Sequence, residues 1–181
     1  MAIVHGFDSP HRFVAGTVGE PGDRTFFLQA RDDSQLVSVA LEKQQVEALA
    51  ERVDELLDQV MNETSTRAVI PAVAPLDLVD DDPLDQPITE EFRAGTMTLS
   101  WDPEDERVVI EVFPVGEEPS EDDEATEMLL VRLEPGQARA FAQRAEKVLD
   151  AGRPTCPFCG QPIDPEGHLC VRANGFRRRD P

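Results

Sequence analysis

Two stretches of the chain carry apolar residues at spacings of three and four, the periodicity of a helix that buries one face. In the first they are Val46, Leu49, Ala50, Val53, Leu56, Leu57 and Val60; in the second, Ala138, Phe141, Ala142, Ala145, Val148 and Leu149. Each member of the second set lies 92 residues after a counterpart in the first. Over Val39 to Asp58 against Val131 to Asp150, nine of twenty positions are identical, among them Glu42/Glu134, Gln45/Gln137 and Arg52/Arg144. Upstream, Phe13-Val14-Ala15-Gly16-Thr17 is answered by Phe92-Arg93-Ala94-Gly95-Thr96. Ahead of each helix the period changes to two, the alternation of half-buried strands. Strands are predicted at 12–18, 24–31 and 35–41 in the first half, separated by Gly19-Glu20-Pro21-Gly22-Asp23 and Asp32-Asp33-Ser34, both rich in turn formers. In the second half Met97, Leu99 and Trp101, then Val108, Ile110 and Val112, then Leu129, Val131 and Leu133 mark three more.

This order predicts an α+β fold of duplicated β-β-β-α units. A pseudo-two-fold would relate them, forming an antiparallel sheet covered on one face by two helices, with a small C-terminal zinc knuckle. A helix of about twenty residues is roughly 30 Å long, and two meanders side by side cover its stripe better than one. The chain divides into residues 1–62, the first repeat; 63–89, a connector; 90–152, the second repeat; and 153–181, a metal-binding tail. Pro71, Pro75, Pro83 and Pro87, together with five aspartates, make the connector hostile to helix and central strand. Val69, Ile70, Val73, Leu76, Leu78 and Val79 make it too apolar for a free linker, so it is expected to lie against the core. Trp101, the sole tryptophan, reads as core.

Charge narrows the function. Seventeen Lys and Arg against 37 Asp and Glu give a net charge of -20 in 181 residues. Such a surface repels phosphate backbones and anionic lipid, so generic nucleic-acid or membrane-surface binding is disfavoured. The acidic runs, in the connector and again at Glu117 to Glu124, read as solvated faces, and neither has the spacing of an EF-hand. No basic segment followed by an apolar run opens the chain, and no stretch approaches the roughly 18 apolar residues of a spanning helix. Three cysteines, all within fifteen residues, form a poor disulfide framework. A reducing cytoplasm is the expected compartment.

The strongest chemical signal is Cys156-Pro157-Phe158-Cys159-Gly160, followed after seven residues rich in turn formers by His168-Leu169-Cys170. A Cys-x-x-Cys knuckle presents two sulfurs to one ion, and the chain reversal returns His168 and Cys170 to complete a tetrahedron. Three thiolates and an imidazole select zinc, and four protein ligands leave no place for an activated water, so the zinc is expected to be structural. An iron–sulfur cluster or a redox Cys-x-x-Cys pair accounts for the four donors less well. Beyond the site, Arg172, Phe176, Arg177, Arg178 and Arg179 form a small basic patch. It could dock to an acidic partner or stack single-stranded RNA, or pair with the protein's own acidic surface.

Catalytic signals are thin. His5, Asp8, His11 and Arg12 gather in eight residues and could serve acid–base chemistry or bind a small phosphorylated ligand if they converge on a pocket. The plainer reading makes them an N-terminal strand and turn, with Asp8 and Ser9 bonding the local backbone. No P-loop, dinucleotide glycine motif, nucleophile elbow or zincin helix is present.

Asp8 to Thr17, Phe26-Phe27-Leu28-Gln29-Ala30, Leu41-Glu42-Lys43-Gln44-Gln45 and the cysteine segment through Arg172-Ala173-Asn174-Gly175 carry a resemblance over nearly the whole chain. They resemble an uncharacterised actinobacterial family, domain of unknown function three-zero-nine-zero. The resemblance implies the ligand set Cys156, Cys159, His168 and Cys170. It also implies a shared pathway or complex with a histidine-phosphatase-like protein and a lipid-kinase-like protein, and it brings no known activity. The reading that follows is a cytoplasmic protein-interaction or adaptor module, leaning away from an enzyme. The alternatives are a binder of, or enzyme for, a phosphorylated ligand and an RNA-binding zinc knuckle.

Overall fold

The computed structural model describes residues 3–20, 22–63, 70–117 and 127–151. The elements run β1 (Ile3–Asp8), β2 (Arg12–Val18), β3 (Thr25–Arg31), β4 (Leu36–Leu41), α1 (Lys43–Met61), β5 (Glu90–Asp102), β6 (Arg107–Pro114), β7 (Glu127–Leu133) and α2 (Pro135–Asp150), with a short 3-10 turn at Leu76–Leu78. The alternating segments are strands and the two stripes are helices; β2, β3 and β4 lie within a residue of their predicted limits, whereas β5 starts at Glu90, well before the alternation at Met97, and β1 adds a seventh strand to the six of the predicted units. Both helices open after a glutamate, Glu42 and Glu134. The Gln45 side chain accepts the Glu42 N–H (2.7 Å) and donates to the carbonyls of Ala94 and Gly95, tying the start of α1 to β5.

The strands form one seven-stranded sheet in the order β1-β7-β6-β5-β4-β3-β2. It is mixed, which corrects the expectation of an antiparallel sheet: β4 pairs with β5 and β1 with β7 in parallel. The cause is the route between β4 and β5. A helix and a long connector carry the chain back to the same end of the sheet, so β5 sets out in the direction β4 took. The two triplets therefore stand in the same order and sense along the sheet.

Ser9, Pro10 and His11 alone separate β1 from β2, yet these strands occupy opposite ends of the strand order. Four residue steps reach at most about 14 Å, whereas a flat sheet of seven strands is roughly 29 Å wide. The sheet must coil until its two edges meet, with β1 and β2 as two parts of one bent strand. Ser9 takes a positive φ of 48° at the bend.

Inside the coil lies a single core. Phe7, Phe13, Leu28, Val39, Ile110 and Val131 from the strands meet Val46, Leu49, Val53 and Leu57 of α1 and Ala138, Phe141, Ala142 and Ala145 of α2. The rings of Phe13 and Phe141 stack at 4.7 Å. Trp101, expected in this core, is half-buried at its margin. On the outer face Val14, Phe27 and Ala40 are covered by Leu84 and Ile88 of the connector, so β2 to β4 are buried on both sides. The connector's contact with the body is thus real, although Val73 and Leu76 remain exposed. Both glycines of the repeated Phe-x-Ala-Gly-Thr motif are close approaches. A Cβ at Gly16 would lie 2.5 Å from the Leu84 side chain, and one at Gly95 2.9 Å from the backbone of Pro114 and Val115.

Candidate functional site

The most elaborate polar constellation sits where the connector crosses from α2 to the outer face. Arg12, at the start of β2, is 7% exposed. It donates from Nε and Nη2 to the two carboxylate oxygens of Asp80 (2.6 and 3.0 Å) and from Nη1 to Asp85 (3.1 Å). It also bonds the carbonyls of Asp82 and Pro83. Arg144 of α2, equally buried, donates to the Ala15 carbonyl (2.8 Å) and to the main chain and side chain of Asp80 (2.8 and 3.2 Å). Asp85 further accepts from Arg31, and its main chain exchanges two bonds with the Gln29 side chain, itself bonded to Ser38. A guanidinium out of water is stable when its donors are matched, as every nitrogen of Arg12 is.

The charges respond accordingly. Hydrogen bonds from Arg12 hold the Asp80 carboxyl below the usual carboxylate range. The same bond raises Arg12, while burial pulls Arg144 down. These aspartates, read from sequence as part of a solvated run, are internal counter-ions. The connector is clamped to β2 and α2.

The N-terminal candidates do not converge on one pocket. His5 bonds Glu127 through Nε2 (2.8 Å). Asp8 is exposed and lies 3.9 Å from Arg132, whose main partners are Asp102 and Asp105. His11 is exposed 3.3 Å from Asp33, and Arg12 belongs to the clamp. Ser9 sends its N–H to the Arg132 carbonyl of β7 rather than to the local backbone (2.9 Å). His11 and Arg12 do share a cavity of about 60 Å³ with Phe13, Asp80 and Arg144, room for a few waters.

Two larger concavities flank α1. Between α1 and α2 runs a groove of about 400 Å³ in which Glu47, Glu51, Asp54, Glu55 and Asp58 face Glu146 and Asp150, with Ala50 and Leu149 on its floor. Among the described residues, Lys43 is the one cation lining it. Burial, with Asp54 and Asp150 nearby, pushes the Glu146 carboxyl up. Arg139, 4% exposed, lies behind and binds Asp54 (2.9 Å) and Asp58 (2.5 Å). On the other side of α1 a groove of about 600 Å³ is lined by Leu49, Leu56, Met97 and Leu99. Neither groove was among the candidates read from sequence. The signal was present in the first, because positions 47, 51, 54, 55 and 58 form a wholly acidic stripe beside the apolar one.

For a metal, the described residues offer one grouping: His5, Glu91 and Glu127, with donor atoms all within 4.8 Å of one another. Cys156, Cys159, His168 and Cys170 lie outside the described residues, as do Arg172, Phe176, Arg177, Arg178 and Arg179.

A family model described as "Protein of unknown function (DUF3090)" matches residues 5–170, which takes in all but the first two residues of β1, every later strand and helix, and the positions Cys156, Cys159, His168 and Cys170. The chain belongs to the DUF3090 family. No curated protein and no solved structure matches it. Membership of DUF3090 brings no chemistry of its own, so function rests on the geometry. No helix among the described residues is long and apolar enough to cross a membrane.

Proposed function

We propose that this DUF3090 protein is a cytoplasmic protein-interaction module. Its body is a duplicated β-β-β-α unit, and a structural zinc held by Cys156, Cys159, His168 and Cys170 stabilises the C-terminal tail. Partners are recruited by the groove between α1 and α2, and the occupant is a basic segment with an apolar side. The observation that carries this reading is the groove itself, where Glu47, Glu51, Glu55 and Glu146 stand above an apolar floor beside the Asp54 and Asp58 carboxylates that Arg139 holds. Like charges that close raise each other's energy, and a Lys- or Arg-rich segment relieves that repulsion while its apolar side covers Ala50 and Leu149. The first partners to examine are the histidine-phosphatase-like and kinase-like proteins implied by the sequence resemblance.

The test is fluorescence anisotropy with a labelled amphipathic Lys/Arg peptide and a Gln-substituted control peptide. Saturable binding that weakens with salt and is lost in Glu51→Lys/Glu55→Lys supports the groove. Binding that ignores the double reversal refutes it. The two residues are exposed on α1, so the variant is expected to keep the fold.

A further inference from the structure

We propose that His5, Glu91 and Glu127 form a divalent-cation site on the sheet, independent of the cysteine cluster. The coiled topology brings the donors together. In the parallel pair of β1 and β7, Ile3 stands opposite Glu127 and His5 opposite Leu129, so the imidazole and the carboxylate belong to neighbouring strands. The register of β6 against both neighbours, Val112 with Leu129 and Ala94 with Pro114, brings the start of β5 to the same end of the sheet. Glu91 joins from there. Three strands thus supply one nitrogen and two oxygen donors.

Distance, charge and burial agree. Two donors on one ion at bonds of about 2.0–2.2 Å cannot stand more than about 4.4 Å apart, and the donors here already lie within 4.8 Å of each other. Closing the site takes side-chain adjustment and no backbone movement. Among the described residues, neither Glu91 nor Glu127 has a Lys or Arg ion-pair partner, so two carboxylates share one imidazole. A dication balances that charge. His5 and Glu127 are 16% and 24% exposed and fixed by their mutual bond, while Glu91 is exposed and leaves the remaining coordination positions open to water. A donor set of imidazole and carboxylates suits manganese, iron or zinc, whereas three thiolates and an imidazole select soft or borderline ions. Manganese therefore separates the two sites.

The experiment is a Mn²⁺ titration of the full-length protein at 0.15 M NaCl, followed by the six-line electron paramagnetic resonance signal of the free ion. One Mn²⁺ per chain should be withdrawn from that signal. The Kd should rise at least tenfold in Glu91→Gln and in Glu127→Gln, and stay unchanged in Cys159→Ser. Glu91 is exposed, so its variant cannot act by unfolding the protein, and circular dichroism checks the other two. Absence of saturable binding overturns the proposal. So does binding that survives both glutamate substitutions, which would mark diffuse attraction to an acidic surface.

Discussion

Replacing Asp80 by Asn tests whether the clamp on the connector holds the fold. The carboxylate engages Arg12 through both oxygens and Arg144 through one, and both guanidiniums are more than nine-tenths buried. Removing one partner of a fully buried pair typically costs about 3–5 kcal/mol because the other charge is stranded. Here Arg12 keeps Asp85 and two carbonyls, Arg144 keeps the carbonyls of Ala15 and Asp80, and the Asp80 side chain is 28% exposed. About 2 kcal/mol is therefore expected. With a urea slope of about 2 kcal/mol per molar, the unfolding midpoint should fall by roughly 1 M. The pH dependence supplies an independent sign. Arg12 depresses the folded-state carboxyl of Asp80, so its contribution is complete above the unfolded value of about 3.9 and is lost as pH falls towards the lower folded value. Wild type and Asp80→Asn should differ fully at pH 7, and the gap should begin to close below about pH 4. A midpoint shift under about 0.2 M at pH 7, or a gap that widens on acidification, would show that the clamp is ornamental.

The repeated glycines should respond unequally. Ala at Gly95 meets fixed backbone on β6 and is expected to cost about 2–3 kcal/mol, whereas Ala at Gly16 meets the end of the Leu84 side chain and should cost about 1 kcal/mol. Denaturation of Gly16→Ala/Leu84→Ala checks the origin, since the second change should add less in that background than alone. For the cysteine cluster, metal analysis should find one zinc per chain, and a thiol reagent should react with Cys156, Cys159 and Cys170 much faster after chelation. Equal rates before and after chelation would remove the zinc from the account.

Strands and helices were legible because burial imposes a period, and Val108-Ile110-Val112 or Val46-Leu49-Ala50-Val53 can satisfy theirs in one way only. Sheet sense was not legible. Whether β5 lies parallel to β4 depends on where a proline-rich connector travels, and no local propensity encodes that path. The clamp was hidden for a similar reason, since Arg12 and Asp80 are 68 positions apart. One clue was available: Arg144 stands beside Phe141, Ala145 and Val148 on the helix, inside the apolar stripe, where a cation needs a buried partner. Its counterpart Arg52 is exposed. The repeat alone therefore could not tell which arginine was internal. The His5, Glu91 and Glu127 grouping depends on three strands closing a coil, beyond the reach of sequence spacing.

The bond from Arg144 to the Ala15 carbonyl has a consequence for assembly. A sheet margin with idle amides and carbonyls is a template for another chain, the route to strand exchange and to fibres. Along β2 a guanidinium already takes one of those carbonyls, and Asp80 of the connector holds that guanidinium in place. Copies of this molecule at high concentration should not zip together there, and whatever it recruits must be recognised by side chains instead of by a borrowed strand.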